Sequence, residues 1–388
     1  MDSGSSDKAT NILDEALQSS DELTKSKALK RLEINEDILP DTKLEIFLKE
    51  ENILTSNAAL LVAEKRKRET LLPAIITNLG NSKTFLQARQ ALQSFDEETV
   101  IENFTNILSN SDLGRHNRRG SIKALKDYPA SNLLLDQLDE TDQGIYNETV
   151  DSLLVRARAE ELDEKRLEII SSEIQKVARK LYALHVCKKL LPENDKKLLI
   201  IDHLNNEIQN ALPSLLKLGV MSKPNTPIET YIQIIKSGDP AKLPFLLEFF
   251  ENIFTKDQRN IINPLIEEIP LEEKAEIGKS HFNDLPTNIN DELVILMQSA
   301  NKWESIITLD YVIQNEMKDL LATLDWSKIP NSSGNCELVQ RLSKKDTLNM
   351  DNIPLERFKL ESLELSMYST LEKTIILRSL IHISEPTR

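Results

Sequence analysis

Apolar residues along this chain recur at three- and four-residue spacing over short stretches, with polar residues filling the positions between. That period belongs to helices that bury one face. Over residues 11–160 the pattern predicts a succession of helices, each roughly ten to eighteen residues long. In one of them Val100, Ile101, Phe104, Ile107 and Leu108 fall on one side; further on, Ile122 and Leu125 are followed by Leu134, Leu135 and Leu138. Asp, Ser, Asn and Pro punctuate the joints, as helix caps and stops do.

A repeat runs through this region. The segment from Leu108 reads L-S-N-S-D-L-G-R-H-N and that from Leu138 reads L-D-E-T-D-Q-G-I-Y-N. Leu108 matches Leu138, Ser111 matches Thr141, Asp112 matches Asp142, Gly114 matches Gly144 and Asn117 matches Asn147. Arg89-Gln90-Ala91-Leu92 pairs with Ile122-Lys123-Ala124-Leu125 at a similar offset. A period of about thirty residues with two helices per unit is the mark of an α-solenoid, whose helix pairs must stack because none can bury its apolar face alone. Asp112 and Asp142 are expected to cap the helix that follows each of them.

The pattern changes beyond residue 160. Two longer helices are predicted over 163–187 and 194–219, the second with Pro213 inside it, where the missing N–H favours a kink. Lys223-Pro224-Asn225-Thr226-Pro227 is a break, after which Thr226 and Pro227 suit the cap and first position of a helix carrying Ile228, Tyr231, Ile232 and Ile235. The run from Phe245 to Phe254 is the most apolar of the chain; acids interrupt it, and it reads as a buried helix with Phe245, Phe249, Phe250 and Phe254 in the core. Helix pairs continue to residue 328, one with Trp303. Residues 329–365 are polar and turn-rich and read as a linker.

Composition supports helices. Only 9 glycines are present, few for a chain built on tight β-turns. The net charge of −15 repels nucleic acid on average. Cys187 and Cys336 are too far apart and too few for a disulfide framework or zinc ribbon, which favours a reducing, cytoplasmic setting. No stretch reaches the roughly 20 apolar residues needed to cross a bilayer. Residues 1–10 are polar and lack the basic and apolar regions of a signal peptide.

Four stretches together resemble the cytoplasmic region of bacterial membrane proteins of the ATP:ADP-antiporter-like, major-facilitator class. They are residues 118–157, with L-L-L-D-Q-L-D and V-D-S-L-L-V-R-A; the long-helix pair around 173–184 and 198–216; I-I-K-S-G-D-P at 234–240 leading into L-P-F-L-L-E-F-F-E-N-I-F; and M-Y-S-T-L-E-K-T-I-I-L-R-S at 367–379. In that class a transporter-like membrane part is followed by HEAT repeats and often by a cyclic-nucleotide-binding domain. The resemblance implies a HEAT-type fold and a lead-in helix over 366–378 to a nucleotide-binding β-roll. The membrane helices and the β-roll with its phosphate-binding loop are missing from this sequence, so neither transport nor nucleotide binding carries over to any residue. Residues 379–388 (S-L-I-H-I-S-E-P-T-R) look like a translated library adaptor; the alternative is a native polar end.

Chemistry-bearing motifs are scarce. His116, His185, His203, His281 and His382 have no second His or Cys at ligand spacing; His185 and Cys187, two apart on a helix, point in different directions. Gly-rich phosphate loops and a nucleophile elbow are absent. Glu97-Glu98 and Glu267-Glu268 fit solvated faces or helix N-termini better than acid–base pairs. Two basic clusters remain: Lys65-Arg66-Lys67-Arg68 at a helix end, and Arg115, Arg118 and Arg119, with His116, at a helix start. Solvated or salt-bridged faces account for both; the functional alternative is contact with an acidic partner or an anionic membrane surface. Aromatic residues do not interleave with them, against a single-strand nucleic-acid platform.

The sequence therefore predicts an all-α chain: a disordered N-terminus over 1–10, an α-solenoid of HEAT-like hairpins over 11–160, a long-helix pair over 161–222 and a second HEAT-like helical segment over 223–328. The expected role is a non-catalytic scaffold with no cofactor and no metal. Its partners would be proteins or adjacent domains of the same chain, with an inner-membrane tether in the intact protein. A stand-alone adaptor and, further off, a helical enzyme built around His203 and Asp202 are the alternatives.

Overall fold

The computed structural model describes residues 11–339 apart from 33–37, 111, 193–197, 300, 333 and 337. Among the described residues the regular structure is all helical, with no strand. The chain divides into two compact units, residues 1–169 and 170–388. The N-terminus over 1–10, the expected lead-in helix over 366–378 and the adaptor-like tail lie outside the described residues, as does Ser111 of the repeat.

In the first unit, α1 (residues 11–17) precedes α2 (Glu22–Arg31), α3 (Asp41–Leu48), α4 (Ile53–Arg66), α5 (Leu72–Thr77), α6 (Phe85–Leu92), α7 (Glu97–Leu108), α8 (Arg115–Leu125), α9 (Ser131–Leu135) and α10 (Gln143–Ala159). The even-numbered helices begin at Glu22, Ile53, Phe85, Arg115 and Gln143, close to one start every thirty residues. Neighbours along this series pack on each other: α2 on α4, α4 on α6, and α8 on α10. The odd-numbered helices fill the other side, α3 against α4, α5 against α6 and α7, and α9 against α10. The apolar stripe of each helix supplies the seam. Leu29, Leu60, Leu92, Leu125 and Leu153 are all fully buried, one from each even-numbered helix.

Polar side chains tie one helix pair to the next. Asn78 Nδ2 donates to the Leu48 carbonyl (2.8 Å), Ser94 Oγ to that of Glu64 (3.1 Å) and Ser152 Oγ to that of Ile122 (3.1 Å), each 30 residues apart in sequence. Leu48 ends α3, and its carbonyl has no acceptor role left inside its own helix, so the Asn78 bond satisfies a group that would otherwise be buried without a partner.

The helix starts follow their caps. Asp21, Asn52, Asp96 and Asp142 each accept backbone N–H groups of the first turn that follows. Asp112 differs from its expected role. Helix α8 begins at Arg115 with Gly114 as an unassisted N-cap, and the Asp112 N–H instead donates to Asn110 Oδ1 at 2.9 Å. The matched Leu108 and Leu138 are both buried, whereas only Asp142 of the matched aspartates caps.

The boundary between the units falls inside α11 (Glu164–Leu190). The second unit continues with α12 (Leu198–Gly219), α13 (Ile228–Ser237), α14 (Leu243–Ile253), α15 (Lys256–Ile266), α16 (Leu271–His281), α17 (Ile289–Met297), α18 (Lys302–Gln314) and α19 (Lys318–Thr323). Pro213 lies within α12. One apolar cluster joins Leu184 and Cys187 of α11, Ile200 and Leu204 of α12, and the buried faces of α17 and α18. Tyr182 is fully buried, donates its hydroxyl to the Ile261 carbonyl (2.9 Å) and faces Gly278, where a Cβ would come within 2.6 Å of its ring.

Three expectations for this unit change. Thr226 does not cap α13; its hydroxyl turns back to the Lys223 carbonyl (2.7 Å), and Pro227 takes the cap position. Helix α14 is amphipathic and not wholly buried: Phe250 and Phe254 are core, Phe249 is half-buried and stacks on Tyr231 with centroids 3.7 Å apart, but Phe245 is 60% exposed. Four helix positions beyond Leu246 lies Phe250, so the buried stripe runs through those two and leaves Phe245 on the opposite flank. Finally, the linker does not begin at Ile329. Ile329, Cys336, Leu338 and Val339 are buried in the second unit's core cluster.

Candidate functional site

The structure separates the residues of the two basic clusters. At the end of α4, the Arg66 side chain is only 3% exposed. It donates to the carbonyls of Leu39 (2.6 Å) and Leu32 (3.3 Å) and to Asp41 Oδ1 (3.2 Å). It therefore closes the carbonyl end of α2 and the start of α3 from inside and offers nothing to a partner. Lys65, Lys67 and Arg68 are exposed around it, Lys67 in the left-handed conformation that ends the helix (φ 52°). Replacing Arg66 by Met is expected to cost about 2–3 kcal/mol, because two carbonyls and a carboxylate lose their donor. A Lys67→Met change should stay within about 0.5 kcal/mol. Chemical denaturation midpoints compare the two directly.

The second cluster opens α8. Cations there oppose the helix dipole, so they need acidic neighbours. Those come from α10 and the turn before it. Arg115 pairs with Asp142 (2.6 Å), Arg118 reaches Glu140 (3.7 Å), and Arg119 pairs with Glu148 (3.2 Å). Burial disfavours the Asp142 carboxylate. The Arg115 guanidinium and the Ile145 and Gly144 N–H groups outweigh that and hold its carboxyl below the usual range. Arg118 is mostly buried and donates to the Leu108 (3.1 Å) and Asn110 (2.9 Å) carbonyls, closing the end of α7 as Arg66 closes α2. Arg115 and Arg119 remain more than half exposed.

One face of α8 lines a cavity of about 230 Å³. His116, Arg119 and Lys123 follow one another at three- and four-residue steps along that face, opposite Phe85 of α6 and the 3-10 turn Asn78–Gly80. Two glycines form its floor. A Cβ on Gly120 would stand 2.1 Å from the Leu79 carbonyl oxygen, and one on Gly80 would overlap Asn117. The helix can approach the turn this closely only without those side chains. Lys123 Nζ stands 5.0 Å from the centroid of the Phe85 ring, a cation–π contact. Glu148 closes the rim and holds Arg119. Arg119 and His116 stand out in the sequence as part of a charge cluster. Lys123, Phe85 and the glycine floor do not, because α6 and the 3-10 turn lie some thirty to forty residues upstream and only packing brings them in.

A larger groove of about 490 Å³ lies between α12 and α13, beside Pro213, Ile232 and Lys236. It gathers one cation and no titratable pair. The enzyme alternative turned on His203. His203 Nε2 lies 3.6 Å from Glu304 Oε1, both largely buried, in a region that also holds Lys180 paired with Glu207 (3.6 Å). Burial opposes the charge on Glu304, but His203, Ser299 and Lys180 outweigh it and keep the carboxyl below its ordinary range. Asp202 is exposed and does not join this buried pair. Among the described residues no three His, Cys, Asp or Glu side chains come together as a metal-ligand set, and no helix is long and apolar enough to cross a membrane.

No protein family and no curated protein matches the chain. Among solved structures, an engineered protein determined by the Northeast Structural Genomics Consortium aligns over 96% of this chain and 98% of its own, at 13% identity and a TM-score of 0.23. At that score the likeness carries no argument about fold or function.

Proposed function

We propose that the chain is a non-catalytic scaffold of stacked HEAT-type helix pairs, an α-solenoid, serving as the cytoplasmic coupling region of a transporter-like membrane protein. The observation that carries this reading is the recurrence of helix starts close to every thirty residues in the first unit, with side-chain hydrogen bonds spanning 30 residues at three places along the series. A stack of this kind stores its contacts between nearest neighbours and deforms along its length, so a bias applied at one end changes the contacts further along. The sequence resemblance supplies the setting: a membrane part before the repeats and a nucleotide sensor after them. Coupling requires that the ligand at one end prefer one shape of the stack over another.

The test is hydrogen exchange on the full chain extended by a cyclic-nucleotide-binding β-roll, with and without cyclic AMP. Altered protection in α4 to α10 is the expected outcome. Cyclic AMP bound by the β-roll with exchange unchanged throughout those helices would overturn the coupling role.

A further inference from the structure

The cavity on α8 has the composition of a receptor for one anionic side chain. Its charged groups are Arg119, Lys123 and Glu148, so two fixed cations meet one carboxylate in a chain whose formal net charge is −15. A local excess of positive charge inside an acidic protein favours an anion at this spot. The cations are also prepared for it. Arg119 is held by a single carboxylate and is 56% exposed, so part of its guanidinium fork still faces solvent. Lys123 is exposed and kept over the Phe85 ring, which positions its ammonium without neutralising it. His116 adds an imidazole one turn away on the same face.

The remaining walls identify the class of ligand. Phe85 gives the cavity an apolar side, and Leu79, Gly80 and Gly120 form its floor. A volume near 230 Å³ admits one carboxylate-bearing side chain with an apolar neighbour lying on Phe85. A membrane surface makes different demands: a convex, uniformly basic patch. Here Glu148 sits in the rim and Asp142 and Glu140 occupy Arg115 and Arg118 next to it.

We infer that the α6–α8 cavity is a docking site for an acidic peptide segment of a protein partner, which places a carboxylate between Arg119 and Lys123 and an adjacent apolar side chain on Phe85. The inference rests on the scaffold reading only in taking the partner to be protein, and it stands or falls separately from nucleotide coupling. The incoming carboxylate competes with Glu148 for Arg119, which makes Glu148 an internal brake on affinity. Removing the brake and removing the cations therefore have opposite effects, a pattern that simple loss of folding does not produce.

Fluorescence anisotropy of a fluorescein-labelled hexapeptide alternating glutamate and leucine, titrated with the full chain, tests this. The glutamine–leucine counterpart is the neutral control. The double change Arg119→Gln and Lys123→Gln is expected to weaken binding about ten-fold. Glu148→Gln is expected to tighten it roughly three-fold. Lys256→Gln and Glu248→Gln, exposed changes in the other unit, should leave it within about two-fold. Circular dichroism melts confirm that each variant is folded. Equal binding of the neutral peptide would overturn the proposal, as would affinity indifferent to the α8 cations. So would selective binding of phosphatidylserine vesicles over the peptide with the same dependence on Arg119 and Lys123.

Discussion

Acidification from pH 6.5 to 4.5 is expected to cost the second unit roughly 2 kcal/mol through His185 alone. His185 is 7% exposed, and neither ring nitrogen has a hydrogen-bond partner. Burial pushes its pKa down to about 3, with the charges of Lys274 and Lys188 acting in the same direction. Both lysines are themselves held below the usual range by burial; Lys188 donates to Asn205 Oδ1 (2.6 Å) and Lys274 to the Leu265 carbonyl (3.2 Å). In the unfolded chain a histidine protonates near pH 6.5, while in the folded chain the ring stays neutral to about pH 3. The unfolded state therefore binds the extra proton across that window. Stability is fully present above pH 6.5 and falls by up to about 1.4 kcal/mol per pH unit below it.

The comparison that isolates this term is His185→Leu. The variant removes the titrating group and two unsatisfied polar atoms from a buried site, so at pH 7 it should match the parent protein or exceed it by about 1 kcal/mol. Both tryptophans, Trp303 and Trp326, lie in the same unit, so their fluorescence follows its unfolding in denaturant. The parent should lose stability more steeply between pH 6.5 and 4.5 than the variant. Parallel acid slopes would show that His185 is not held neutral.

The second large effect is expected at Gly120. An alanine there places its Cβ 2.1 Å from the oxygen and 2.5 Å from the carbon of the Leu79 carbonyl. The obstacle is backbone, so no rotamer change relieves it, and either α8 or the 3-10 turn must move. About 3 kcal/mol of destabilisation follows, at the upper end of overpacking costs. For a unit of this size that corresponds to a fall of roughly 6–12 °C in Tm. Gly114→Ala, at the N-cap of α8, meets nothing within 4 Å and should cost no more than about 1 kcal/mol, the loss of a favoured cap residue. Far-UV circular dichroism melts of the two variants make the comparison. Amide exchange should also rise in α8 and in residues 78–80 of the Gly120 variant alone.

Helix content and helix faces were legible in the sequence because each depends on neighbours three and four residues away. Val100, Phe104 and Leu108 are buried on α7 as their spacing predicts, and so are Ile122 and Leu125 on α8. Composition carried the same message: little glycine and abundant helix formers favour helices over tight-turned sheets. The segments matched at Leu108 and Leu138 do not start their helices alike: Gly114 is the N-cap of α8, whereas its counterpart Gly144 lies inside α10.

What only tertiary structure decided is the fate of each polar group. Arg66 and Arg118 read as surface charge, yet both turn inward to close the carbonyl ends of other helices. Phe245 read as core and is exposed, because burial depends on which flank of α14 meets a neighbour. Arg119, Lys123 and Phe85 converge on one cavity because two glycines let α8 approach a distant turn. Periodicity is a local property and survives in any window of sequence. Whether a charge or a ring faces water depends on contacts between segments far apart in the chain, and those exist only once the helices have packed.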